Sequence, residues 1–480
     1  MCFSTDPGGP GMAGCFIEKK FDRTHFETYN LVRIIINDIK KSQKGEFCMK
    51  ITKTLLLVMM ALLLSFPAFA GGEGESASGP AEMTLWTFQA LHATLFEDAA
   101  ALWNEGNPDR QIDLTCETLP YEDLHSKLLI ALQSGVGAPD IVDIEISKFP
   151  NYLKGKVQLE PMNDKVEEVI DDMVASRLEI YSKDGNYYGI PFHVGAAVIY
   201  YNTEIMEAAG VDIDAIDTWA DYVEAGKKVV ARTGKPMTTL EVTDQWSFWP
   251  MISQGGGDYI GSDGSPALDS KVNNEVLQLQ YDMIYTDKIA VKTPGGNHHS
   301  EEYYGAMNNG DFGSIWMPMW YMGRFTDYMP DLKGKIAIRP MPRLTPGGNR
   351  SAGMGGTGTV VTNQAKNVEL AKDFLAFAKL SEKGNEMIWT TLGFDPPRWS
   401  VWDNPVMNQP NKFTDYFAND NIFGLLLEVK DEINPVNITE SFPLASELVK
   451  TQILYQALSE RSKTPSQALA DAAATMRTNQ

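Results

Sequence analysis

Residues 184–210, DGNYYGIPFHVGAAVIYYNTEIMEAAG, constrain this chain more than any other stretch. Lys183-Asp184-Gly185-Asn186 is a polar turn of the kind that joins two strands. Residues 187–192 then read as an extended run. Pro191 near its end cannot donate to a sheet ladder, which puts this run at a sheet edge or at an exit from the sheet. His193-Val194-Gly195 is a break, and residues 196–201 form a second strand rich in β-branched and aromatic side chains. Asn202-Thr203 offers a helix cap, with a helix over 204–209 stopping at Gly210. A strand that leaves one sheet, passes a flexible break and enters another is what a hinge between two lobes requires.

Upstream, Met83–Thr87, 111–117 and 139–144 read as strands, and 90–105 and 121–132 as helices. Alternating β and α elements predict a parallel sheet with helices on both faces. Ligands of such sheets bind at the carboxyl ends of the strands. That rule puts Trp86-Thr87-Phe88, Tyr121 and Asp143-Ile144-Glu145 on one rim. Downstream, helices are expected over 218–231, 245–257, 270–286, 369–380, 447–460 and 465–476, and strands over 313–317, 335–338 and 359–361. The Pro/Gly/Met-rich segment 340–358 reads as a second crossing between lobes, and Gly393-Phe394-Asp395-Pro396-Pro397 begins a third.

The pattern D-G-x-Y-Y-G-I-P-x-x-x-G…Y-Y-N-x-x-x-x-x-x-A-G over residues 184–210 resembles the first lobe crossover of extracellular solute-binding proteins of carbohydrate ABC transporters, the maltose-binding-like group. GDFGSIW at 310–316 resembles the family's F-x-x-G-x-x-A-M segment. Residues 363–380 resemble its SKN-x-E-x-A-x-x-F-L helix, and 464–473 its C-terminal T-P-x-x-A-L-x-x-A helix. The resemblance implies an α/β, periplasmic-binding-protein-like fold of type II, with two lobes and several hinge crossovers. The expected limits are 83–194 and 346–395 for the first lobe, and 195–345 and 396–480 for the second. The implied partners are a carbohydrate ligand and ABC permease subunits with an associated ATPase. A monomer without cofactor or metal is expected. The stretch DIEISKFPNYL at 143–153 resembles arabinose- and oligosaccharide-type members.

At the amino end, Met49-Lys50-Ile51-Thr52-Lys53, the apolar run 54–66 and Ala68-Phe69-Ala70 read as a signal peptide cleaved near Ala70. No Cys follows Ala70, so a free periplasmic product without a lipid anchor is expected. Residues 1–48 read as an upstream mis-called start, and 71–82 as a disordered leader. Cys2, Cys15 and Cys48 precede the mature chain, and Cys116 alone cannot form an internal disulfide. Residues 1–70 carry nine basic and six acidic side chains, so processing takes the net charge from −22 to −25. Such a surface repels nucleic acid and anionic lipid.

Sugars present apolar C–H faces and hydroxyl edges, so aromatic rings with hydrogen-bonding neighbours are the side chains to look for. Trp86, Trp249, Trp316 and Trp320, with Phe88 and Tyr121, are the candidate aromatic contacts; Trp246 and Trp399 also lie near the crossovers. The polar candidates are Asp143, Glu145, His193 and Arg398, joined by Gly355 and Gly356 for close backbone approach. An alternative role for Asp143 is to cap a helix beginning near Ser147. Gly353–Gly358 matches G-x-G-x-x-G, but a Pro-rich arm precedes it and β-branched residues follow, which argues against dinucleotide binding. His298-His299 has no Cys or suitably spaced acid nearby, so no metal is expected there. No G-x-S-x-G elbow, P-loop or paired-Cys motif occurs. Two other readings stay open: a secreted glycoside-acting enzyme, which would need two carboxylates across a cleft, and the same fold holding a polyol or phosphodiester.

Overall fold

The computed structural model describes residues 79–479. The segments expected to be an upstream extension (1–48) and a signal peptide (49–70) lie outside the described residues, as does most of the expected leader. Eight strands build the two principal sheets: β1 (Ala81–Thr87), β2 (Ile112–Thr118), β3 (Ile141–Glu145), β4 (Ile190–Pro191), β5 (Ala197–Asn202), β6 (Ser314–Pro318), β7 (Ile336–Pro340) and β8 (Thr357–Val361). The first sheet has the order β2-β1-β3-β8-β4 and the second β6-β5-β7.

β1, β2 and β3 are parallel, as their helical connections require. β8 departs from the expected all-parallel sheet and pairs antiparallel with β3, Thr357 opposite Glu145 and Val361 opposite Ile141. The reason is its origin. The chain leaves the first sheet at the carboxyl ends of its strands and returns from the second sheet at the same end, so the returning strand must run backwards. β4 holds the sheet edge, with Pro191 opposite Gly358. The extended run expected over 187–192 is broken into a short hairpin, Ser182–Lys183 with Asn186–Tyr187, and β4 itself.

Local signals account for most helix limits. Asn202 accepts from the Ile205 N–H at the start of helix Thr203–Ala209, which Gly210 ends in the left-handed region. Thr218 and Asp221 form a capping box on helix Trp219–Thr233, as Thr464 and Gln467 do on helix Pro465–Thr478. The aromatic helix expected over 245–257 shrinks to Trp249–Gln254, with Pro250 in its first turn. Pro250 has no N–H to give to the Trp246 carbonyl, which interrupts the helix there, although the Trp249 N–H still closes one turn on the Gln245 carbonyl (2.8 Å).

β5 shows how the second sheet is buried on both faces. Ala197, Ile199 and Tyr201 join one apolar cluster with Trp219, Tyr222 and Trp316. Val198 and Tyr200 join another with Tyr321 and Phe325. The first sheet packs Leu85 and Ile141 against Leu95, Phe96, Phe374 and Leu375.

Three segments pass between the sheets side by side. The Val194 N–H donates to the Asp395 carbonyl (2.9 Å), and the Met354 N–H to the Gly195 carbonyl (2.7 Å). The Ala196 N–H donates to Asp395 Oδ2 at 2.7 Å, and Ala196 also bridges to Gly353. The crossings near residues 193–196, 353–356 and 394–397 are therefore one hydrogen-bonded bundle.

Candidate functional site

A cavity of about 670 Å³ opens over this bundle. Phe88, His92, Tyr121 and Glu145 line it from the first sheet's side. His193, Gly355, Gly356 and Phe394 line its floor. Asp244, Trp246, His299, Trp320, Arg324 and Lys450 line the opposite wall. Of the residues expected from sequence, the structure brings Phe88, Tyr121, Glu145, His193, Trp320, Gly355 and Gly356 together here.

The other five lie elsewhere. Trp86 is buried on the far face of β1 with Lys127 Nζ 3.9 Å over its ring. Trp249 lies in the core, stacked on Tyr259 and bonded through Nε1 to Asp258 Oδ1 (3.3 Å). Trp316 is wedged against Trp219 and donates to the Ser247 carbonyl (2.8 Å). Arg398 pairs with Asp172 (Nε–Oδ2 2.6 Å) and donates to the Leu380 carbonyl. Asp143 neither faces the cavity nor caps a helix. Its carboxylate accepts from Thr87 Oγ1 (2.7 Å), Thr359 Oγ1 (2.6 Å) and His92 Nδ1 (2.9 Å).

Asp143 matters because of what it holds. Burial alone would raise its pKa, but His92, the buried Lys379 ammonium and Thr359 together bring it below the usual carboxylate value. Burial lowers the pKa of His92 despite the carboxylate beside it. A neutral imidazole whose Nδ1–H is given to Asp143 has Nε2 left as an acceptor. His92 also stacks on Phe192 at 4.1 Å. The sequence reading missed His92, although it lies in the first turn of helix Ala90–Gly106, four residues after Phe88 on the rim that the strand-end rule marks.

Around Glu145 the geometry is equally fixed. It accepts from Tyr121 Oη and the Ser147 N–H, both at 2.8 Å. His125 gives Nδ1–H to the Tyr121 carbonyl (2.7 Å) and takes the Glu145 N–H on Nε2 (3.1 Å). Burial pushes the Glu145 pKa up and holds His125 down at about 4. On the opposite wall, Trp246 and Trp320 meet edge to face at 5.1 Å, and His299 stacks on Trp320 at 5.8 Å. Gly355 lets the second crossing run beneath these rings, since an added Cβ would lie 3.0 Å from Trp320 Nε1 and 3.3 Å from Trp246.

Under the floor, Asp395 is fully buried, and that burial raises its pKa from 3.8 to about 6. Arg177, also buried, donates to the Gly355 carbonyl. An acid whose folded pKa exceeds its unfolded one destabilises the native state when ionised; that cost disappears as pH falls through 6 towards 4. Asp395→Asn lacks this titration. Between pH 7 and 4 the unfolding free energy of the wild type is therefore expected to gain on that of the variant by roughly 2–2.5 kcal/mol, read by urea unfolding.

Two sheets joined by three crossings, with one cavity between them, define a two-lobed α/β binding protein of type II. Residues 89–384 match the model of the bacterial extracellular solute-binding protein family. The chain is 56% identical over 406 residues to an arabinooligosaccharide-binding protein of Halalkalibacterium halodurans, covering 85% of this chain and 91% of that one. It is 49% identical over 426 residues to the arabinooligosaccharide-binding protein of Bacillus subtilis, covering 88% and 98%. An ABC-transporter binding protein of B. animalis subsp. lactis, solved with beta-1,6-galactobiose, shares the fold at a TM-score of 0.69 and 21% identity, covering 83% and 97%. The chain belongs to the bacterial extracellular solute-binding protein family.

Proposed function

We propose that this protein is the capture component of an ABC importer and that its cleft takes an arabino-oligosaccharide. The observation that carries this reading is the cavity itself. Its volume is in the range of small-molecule sites, both walls offer aromatic faces, and fixed polar groups stand beside them. Relatives at 56% and 49% identity named for arabino-oligosaccharide binding supply the sugar class. The lobes divide at residues 194/195, 345/346 and 395/396. Ligand contacts from both lobes are complete only when the cleft is shut, so ligand shifts the population towards the closed form. That form docks on the permease, whose ATPase supplies the energy. The chain acts without catalysis, as an exported monomer processed near Ala70.

Arabinotriose at 100 times its Kd stabilises a single-site binder by about 2.7 kcal/mol. A rise in Tm of roughly 3–6 °C is expected, given the size scaling of unfolding entropy. Maltotriose at the same concentration is expected to leave Tm unchanged. If no arabinose oligomer moves Tm, or if arabinotriose is cleaved during incubation, the proposal is wrong.

A further inference from the structure

The cavity wall formed by the second sheet's side holds a group of side chains that sugar capture does not explain. Glu241, Asp244 and His299 each offer one donor atom, and the three atoms lie within 4.8 Å of one another. Glu241 is fully buried; Asp244 and His299 line the cavity. Each is already oriented. Glu241 Oε1 accepts from the His298 N–H (2.8 Å) and Oε2 from the Ser247 N–H (3.0 Å). Asp244 Oδ1 accepts from the Gln245 N–H (2.8 Å), and the His299 ring is stacked on Trp320. Among the described residues neither carboxylate has a lysine or arginine in ion-pair contact. A buried Glu241 with the half-buried Asp244 beside it, and Lys450 acting on Asp244 only from beyond contact distance, is a costly pair that a cation joining both would relieve.

A second, independent feature points to what joins them. The His298 side chain is 1% exposed, and its Nδ1 has no hydrogen-bond partner yet lies 3.4 Å from Glu241 Oε1. Its Nε2 is already engaged by Thr239 Oγ1 (2.8 Å) and Thr293 Oγ1 (3.2 Å). With Nε2 accepting from the hydroxyls, the ring carries its proton on Nδ1, 3.4 Å from the carboxylate but not aligned into a hydrogen bond. Metal-bound carboxylates are commonly steadied by an outer N–H of this kind, and a small rotation of the ring would supply it to Glu241.

We propose that Glu241, Asp244 and His299 form a zinc site in the wall of the cleft. One imidazole and two carboxylates make a mixed N/O set that suits zinc and disfavours calcium and magnesium, which take oxygen alone. Zinc–ligand bonds of about 2.0–2.2 Å put tetrahedral donors about 3.4 Å apart, so side-chain shifts of about 1 Å close the set. The fourth position falls on the cavity side, where a water or a ligand hydroxyl completes it. Sequence spacing gave no hint of this, because the acids stand more than fifty residues before the histidine pair. The site stands whether or not the cleft takes a sugar.

Protein stripped with EDTA is titrated with zinc sulfate alone, without saccharide, by calorimetry and equilibrium dialysis. One zinc per chain is expected. Asp244→Asn and His299→Gln are each expected to weaken zinc binding at least tenfold, while circular dichroism of the metal-free variants matches the wild type. Calcium or magnesium at 1 mM is expected to give no heat. Zinc K-edge absorption on the wild type gives a check that needs no variant: one imidazole among N/O donors is expected. Absence of stoichiometric zinc, no imidazole in the spectrum, or unchanged affinity in both variants overturns the site. None of these outcomes touches the saccharide reading, whose readout contains no metal.

Discussion

Trp320→Ala is expected to weaken arabinotriose binding by about 70-fold in calorimetric titration. The indole stands in the 3-10 turn Met319–Tyr321 that follows Pro318 at the end of β6, so its backbone is fixed where the strand stops. Nε1–H donates to the Met354 carbonyl at 3.3 Å, tying a side chain of one wall to the second crossing. Trp246 and His299 hold the ring from two sides. A ring immobilised before ligand arrives loses little side-chain freedom on binding, so the stacking energy is retained in the affinity. Covering about 100 Å² of apolar sugar face contributes roughly 2.5 kcal/mol, which is about 70-fold. Trp320→Phe keeps a flat face and loses the N–H, and a loss under about 5-fold is expected. Trp249→Phe serves as the contrast: it removes the bond to Asp258 inside the core, so Tm should fall while affinity stays. Equal affinities in the wild type and Trp320→Ala would mean that the saccharide does not stack on this wall.

That contrast shows where sequence reasoning succeeds and where it stops. Chain direction and the crossings were legible, because turns, caps and proline act locally: Asn202 caps the helix expected to follow it, and the helices expected from 218 and 465 start behind Thr218 and Thr464. The facing of individual side chains was not. Leu85, Trp86 and Thr87 are consecutive on β1 and all buried, because both faces of that sheet are covered. A strand buried on both sides gives no alternation from which to tell cleft from core. Trp316 on β6 failed for the same reason, Trp249 because its short helix is buried all round, and Asp143 because its partners come from β1, β8 and the helix Ala90–Gly106. The far wall of the cavity draws on Asp244, His299, Arg324 and Lys450, which only the tertiary fold brings together.

Gly195→Ala is expected to cost about 3–4 kcal/mol of stability and to impair ligand binding in the protein that still folds. Gly195 has φ of +79°. An alanine there carries a dihedral penalty of about 1–2 kcal/mol. The larger part is steric. An added Cβ would sit 2.1 Å from the Met354 carbonyl oxygen and 3.0 Å from His193 Nδ1. A backbone oxygen cannot rotate away, so the first and second crossings must separate. Separation stretches the Met354-to-Gly195 hydrogen bond and the neighbouring bond from Ala196 to Asp395. Both lie beneath the cavity floor, where the lobes must pivot as one bundle. Gly135→Ala isolates the dihedral share: that residue has φ of +76° and no atom within 4 Å of the added Cβ. Urea unfolding should give about 1–2 kcal/mol for Gly135→Ala and roughly twice that for Gly195→Ala. Affinity should fall only in the latter. Equal costs for the two would show that the crossings can part freely, and the hinge would then have to lie elsewhere in the chain.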